Sequence, residues 1–352
     1  MKTKIIGLVF IITLISCNPK KLVNKKSIRP IHDTIGFTQY SWQLDSIYNR
    51  LNLKDIPNFN QWKTVISPHD DYKYAGKLYH TSLEGVNAKI VILIGVAHRA
   101  RNYNLQDKLI FGSFTHWKSP YGNLKVSDLN QKIQQKISKE NYIVHDSMQI
   151  LEHSLEAIVP FLHKKNRKLE IVPILVPYIN YKTIEAISTD LSSVVSEILK
   201  ANKLHFGKDV AIVISNDAVH YGTENWSRNL APYGVDAAGT LKAVNHDKRL
   251  INDFLIGKIS MDKVKNFTQE TVQEVDYKEY KWVWCGRYSV PFGLAFANKL
   301  NILQNNNALT GQLLDYASSI DHKLILVEDL GMGTTAIATQ KHWVAYASIK
   351  YE

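Results

Sequence analysis

The chain has 352 residues, 45% of them hydrophobic and 10% aromatic, and 43 Lys and Arg against 32 Asp and Glu give a formal net charge of +11. That is enough apolar material for one large core or two smaller ones. The excess charge sits early: setting aside Lys2, Lys4 and the five basic side chains and single acid of residues 18–33 leaves about +5, which excludes a nucleic-acid-binding signature.

In chain order, Met1 to Lys4 is basic and Ile5 to Ile15 is almost wholly apolar. This stretch is too short to span a bilayer as a helix and has the form of a signal peptide. It runs into Leu14-Ile15-Ser16-Cys17, a lipobox, so residues 1–17 predict a lipoprotein signal with Cys17 as the lipidated residue. The expected product is exported and held to the cell envelope by lipid. Residues 18–33, with Lys20, Lys21, Lys25, Lys26 and Arg29, are expected to form a disordered basic tether that spaces the body or attracts anionic headgroups.

From residue 34 to 352 there is no repeat and no Ser/Gly/Pro linker, which predicts one domain. Runs rich in Val and Ile at Lys63 to Ser67, Lys89 to Val96, Leu169 to Val176, Asp209 to Ser215 and Lys323 to Val327 predict strands. Their continuous apolarity marks burial on both faces. Helical periodicity at Glu152 to Lys164, Tyr181 to Lys203 and Asp236 to Leu255 completes a layered α/β domain with a central, mostly parallel sheet. Gly331-Met332-Gly333-Thr334-Thr335-Ala336 formally fits a dinucleotide fingerprint. The segment after it, His342 to Tyr351, reads as a strand with no helix between, so the glycines predict a turn.

Ligands collect where the strands of such sheets end, and polar clusters stand at three of those ends. These are Pro68-His69-Asp70-Asp71, Gly95-Val96-Ala97-His98 and Asn216-Asp217-Ala218-Val219-His220. Glu152-His153-Ser154-Leu155-Glu156 adds a fourth cluster, read as an acidic helix start with both glutamates on one face. Once Cys17 is committed to lipid, Cys285 is the one remaining thiol and has no intramolecular disulfide partner; burial, an intermolecular bond or metal coordination remain open to it. Trp282, Trp284 and Tyr288 beside it suit core packing or stacking on a substrate ring.

Taken together, Pro68-His69 with Tyr72, Tyr74 and Gly76, Gly95-x-x-His98, Glu152-His153-Ser154-Leu155-Glu156 before Pro160-Phe161-Leu162, Asp217-x-x-His220-Tyr221-Gly222 and Cys285-Gly286-Arg287 resemble the Memo family in order and spacing. The resemblance spans residues 60 to 350, including the closing pair Leu313 to Ser318 and Val344 to Ala347. That family includes protein B of the AmmeMemoRadiSam system, and its fold is similar to class III extradiol dioxygenases, which use non-haem iron. The resemblance implies His69, His98 and Cys285 as metal ligands and Asp217 and His220 as a second polar pair near the metal, where His220 held by Asp217 would serve as a catalytic acid or base or the two would merely brace the loop. It leaves Asp70 and Asp71 to orient His69, and Glu152, His153 and Arg287 to support the ligands or meet substrate. Asp70, Asp71 and Arg99 depart from the family pattern.

Two imidazoles and a thiolate suit iron, copper or zinc without choosing among the three, and suit magnesium or calcium poorly; the similarity of fold to iron dioxygenases puts iron or copper first, with zinc as the alternative. The resulting expectation is a metal-dependent, dioxygenase-like oxidoreductase acting on an unidentified small molecule. Its alternatives are a non-catalytic metal or ligand binder at the membrane surface and a zinc hydrolase.

Overall fold

The computed structural model describes residues 26–53 and 61–352. Thirteen strands lie among them: β1 (Ile28–Arg29), β2 (Thr64–Ser67), β3 (Ile90–Val96), β4 (Leu109–Phe111), β5 (His116–Ser119), β6 (Gly122–Val126), β7 (Tyr142–Val144), β8 (Glu170–Val176), β9 (Val210–Ser215), β10 (His220–Gly222), β11 (Gly257–Lys258), β12 (Thr310–Ser318) and β13 (His342–Tyr351). They form one mixed sheet in the order β1-β5-β6-β8-β3-β9-β2-β13-β12-β11, with β10 beside β13, β4 beside β8 and β7 beside β4.

The centre of that sheet, β8-β3-β9-β2, is parallel. Successive side chains of a strand point to opposite faces, so each central strand feeds two cores. Val65, Val91, Leu93, Ala211 and Val213 enter one; Ile66, Ile92, Ile94, Ile212 and Ile214 enter the other. Helix Tyr72–Leu83 covers the first face through Tyr72, Ala75, Leu78 and Tyr79. Helices Tyr181–Ala201 and Ser289–Asn305 cover the second. Fully burying each such aliphatic side chain is worth about 1.5–3 kcal/mol, so the sheet centre is the rigid part of the molecule. The predicted α/β architecture, the four central strands, the β12–β13 pair and the helix from Tyr181 are all present. The helix predicted from Asp236 runs Ala237–Leu250 and ends in a π turn, Ile251–Leu255.

Three expectations are corrected. Residues 28–33 are not a tether: β1 pairs in parallel with β5, and Arg29 is completely buried. Its guanidinium donates to the carbonyls of Gln149 (2.7 Å), Ile150 (2.9 Å) and Glu152 (3.0 Å), lies 2.5 Å from Glu156 Oε2 and stacks over Trp117. Lys323 to Val327 forms no strand, because β2 and β12 already occupy both edges of β13. Ile325 and Val327 instead plug the first core as coil, held by a bond from Ile325 N to Lys73 O. The third change shortens the helix predicted from Glu152 to Val159–Lys165, with Pro160 in its first turn. Glu152 and Glu156 therefore do not share a helical face and turn to different partners. The predicted glycine turn is one: Gly331 has φ +71 after a single helical turn. The signal peptide, Cys17 and residues 18–25 lie outside the described residues.

Candidate metal centre

The parallel strands deliver their following residues to one end of the sheet. β2 ends at Ser67 and is followed by His69; β3 ends at Val96 and is followed by His98; β9 ends at Ser215 and leads to Asp217 and β10. Cys285 arrives just ahead of helix Ser289–Asn305, with its N–H bonded to Asp217 O (3.0 Å). Gly286 is required there because a Cβ would lie 2.1 Å from Asn216 Oδ1, the acceptor of the Gly286 N–H.

His69 is 1% exposed. Its Nδ1 is 2.8 Å from Ser215 Oγ, and Ser215 Oγ donates its own proton to Ser154 O (2.8 Å). The hydroxyl therefore has only lone pairs to offer Nδ1, which fixes the proton on Nδ1 and leaves Nε2 as a bare lone pair. That Nε2 is buried and makes no hydrogen bond. Burial lowers the proton affinity of the ring further.

His98 is held in the same sense by Glu152. The carboxylate accepts from His98 N (2.7 Å), His98 Nδ1 (2.8 Å) and Ser154 N (2.9 Å). Burial alone would raise the Glu152 pKa, but the His98 charge and these donors bring it down to about 2. Burial opposes protonation of His98, and the adjacent Glu152 overrides it and lifts its pKa well above the imidazole range. A carboxylate that grips one imidazole nitrogen and aims the other is the usual support of a metal-bound histidine. His153 stacks on His98 at 4.8 Å between ring centres and 9° between planes, with His69 5.1 Å from His98 and 5.6 Å from His153. Burial, then the His98 charge, holds His153 neutral, with a pKa of about 3.

Cys285 Sγ is 3.1 Å from His220 Nε2. Burial would favour the thiol, but the His220 charge and hydrogen bond, with His98 close by, pull its pKa well below the ordinary value. Such a thiolate is a ligand ready for a soft or borderline metal. Two overlapping groups can each hold an ion: His69, His98 and His153, and His69, Asp217 and Cys285, their ligand atoms within 4.8 Å of one another in each group. His69 belongs to both.

Several assigned roles change with the geometry. Asp217 does not brace His220; it accepts from His69 N (2.9 Å) and sits 3.2 Å from His69 Nε2. Burial and the negative charges of Asp70 and Cys285 raise its pKa well above the carboxylate range. Asp70 and Asp71 do not orient His69. Asp70 accepts from Tyr346 OH (2.6 Å), and Asp71 from Thr335 N and Oγ1 (2.6 and 2.7 Å). Arg287 is buried between Tyr280 and Tyr288 at 3.7 and 4.6 Å, bonded to Trp284 O, and so braces the Cys285 loop. Trp282 and Trp284 pack in the core and donate to the buried Asp247. Ser215 was not legible as a site residue; its only signal is its place at the last position of a strand.

The donor set fits a transition metal, on three observations. His69 Nε2 is an orphaned buried lone pair, Glu152 locks the tautomer of His98, and Cys285 is poised as thiolate. A family model described as Memo-like protein matches residues 38–335. A MEMO1 family protein of Aquifex aeolicus is 30% identical over 162 residues, 45% of this chain and 54% of the relative. One of Methanococcus vannielii is 25% identical over 203 residues, 55% of this chain and 66% of the relative. Over these alignments the chain spans between half and two thirds of the relatives' length, whereas a MEMO1 family protein of Caldivirga maquilingensis aligns at 23% identity over 306 residues, 85% of this chain and 91% of its own. The matched region carries the whole of the described centre, and the chain belongs to the Memo-like family.

Proposed function

We propose that the protein is an exported lipoprotein, anchored through Cys17, whose His69, His98 and Cys285 bind a redox-active transition metal, iron or copper, and that it acts as an oxidoreductase on a small molecule. The observation that carries this reading is the buried Nε2 lone pair of His69, met only by the Asp217 carboxyl at 3.2 Å, beside a thiolate and a carboxylate-locked imidazole. Such a lone pair is free to take a metal bond. When bound, iron or copper would supply one-electron and dioxygen chemistry that no side chain here possesses.

The chain's own groups have separable tasks. Ser215 and Glu152 set the tautomers of His69 and His98. His220 donates to Cys285 Sγ, which keeps the sulfur anionic and gives a protonated group next to the centre for transfer to a substrate. Asp217, with its raised pKa, is a second group able to hold a proton beside His69 Nε2.

The test is the metal content of protein purified without added metal, followed by oxygen uptake of the reduced, metallated protein. Iron or copper at about one per chain, with uptake faster than in His98→Ala, is expected. Stoichiometric zinc and no uptake would replace the oxidoreductase with a hydrolase, and absence of any metal would overturn the centre.

A further inference from the structure

A small chamber of mixed lining adjoins the metal centre. Its cavity volume is about 30 Å³, room for a hydroxyl or a water rather than a whole ligand, and its walls include Asp70, Tyr74, His220, Trp226, Ser319 and His342; sites that enclose a whole drug-sized ligand run to roughly 300–1,000 Å³. The β10–β13 pairing builds its floor. Gly222 stands opposite His342 and His220 opposite Val344. Side chains alternate between faces, so His220 and His342 are diagonal neighbours on one face.

Nearly every polar group around this chamber already has a protein partner. Asp70 accepts from Tyr346 OH and Asp71 N. Tyr74 OH donates to Ala336 O and accepts from Ala338 N. Ser319 Oγ accepts from Val344 N, and His220 Nε2 meets Cys285. His342 is the exception. It is 3% exposed and neither ring nitrogen makes a hydrogen bond. The Ile337 carbonyl lies near enough to favour a proton on the ring, but burial, with His220 beside it, prevails and holds the imidazole neutral. With the Ile337 carbonyl the nearest acceptor for the ring N–H, the other nitrogen of this buried imidazole still lacks a partner, which is costly, and the chamber in front of it is where one fits.

We propose that this chamber seats the hydroxyl end of a small, uncharged aromatic molecule, and that His342 is the residue that binds it. A neutral imidazole offers one donor and one acceptor, and a hydroxyl is the group that satisfies either. An anion would face the Asp70 carboxylate across a small volume. At the mouth the lining turns apolar, with Ala336, Ala338 and a Trp226 that is 60% exposed. An indole face held in solvent there suits a ring that lies outside the polar floor. The His220 wall places the bound hydroxyl next to the group that meets Cys285. Naming this molecule as the substrate class rests on the proposed oxidoreductase; the binding itself needs neither metal nor turnover.

The experiment is calorimetric titration of the full chain, as purified, with phenol and with benzoate, with metal content measured on the same samples. Saturable phenol binding is expected, with benzoate at least tenfold weaker. His342→Ala should weaken phenol binding tenfold or more, and His342→Gln, which keeps a donor and an acceptor, should restore most of it, both at unchanged metal content and melting temperature. His69→Ala should lose metal yet still bind phenol, which separates a failure of the metal reading from a failure of this one. No phenol binding, phenol binding unchanged in His342→Ala, or benzoate as tight as phenol overturns the proposal.

Discussion

Glu152 does the most for the centre without touching the metal position itself. It fixes the tautomer of His98 through Nδ1 and the loop through two backbone N–H groups. Glu152→Gln keeps the size but offers an amide that cannot accept all three donors, so metal affinity should fall about 10- to 100-fold; a competition titration against a chromogenic chelator reads it. His220 makes a different prediction, in pH rather than affinity. Cys285 reacts as thiolate, and His220 is the foremost group holding its pKa down. In metal-free protein carrying Cys17→Ser, alkylation of Cys285 should therefore persist to acidic pH. His220→Ala should move the midpoint of the rate profile upward, toward the ordinary thiol value. An unmoved midpoint would return His220 to a packing role.

At the scale of elements, β1 is the least expected and the most informative. Arg29 is buried among three carbonyls and Glu156, which also accepts from His32 N and Asp33 N. Removing one partner of such a buried pair strands the other charge. Arg29→Ala should cost about 3–5 kcal/mol, seen as a lower urea midpoint. The long central strands and the helix from Tyr181 were legible because their patterns are long and one-sided. The strand β1 was not, because two residues carry no period and a basic run looks the same whether solvated or docked. Lys323 to Val327 failed the opposite way: its apolar residues are buried as read, but a local pattern does not show that both edges of β13 are taken. In the centre, the ligand types and positions were readable from strand ends, whereas the pairing of Asp217 with His69 rather than His220 depends on how separate loops meet.

At the scale of the whole molecule, the sheet sorts its tasks by end, with the site residues gathered where β2, β3 and β9 finish. The proposed anchor belongs to this scale. Wild-type protein should fractionate with membranes and Cys17→Ser should be released; wholly soluble, unlipidated wild type would end the lipoprotein proposal. Among the described residues no helix is long and apolar enough to cross a membrane.

The docking of Arg29 then acquires a geometric meaning. The first strand begins at Ile28, so the chain between it and Cys17 can reach at most roughly 40 Å. The first residue past that span is clamped to the backbone of the loop that carries Glu152 and His153. A lipid-held molecule would thus be confined to a shallow layer above the bilayer, with its point of suspension at the loop that carries Glu152 and His153. Lengthening the span should widen the zone of molecules the site can meet, and any pull on the anchor would be felt first by the carboxylate that aims His98.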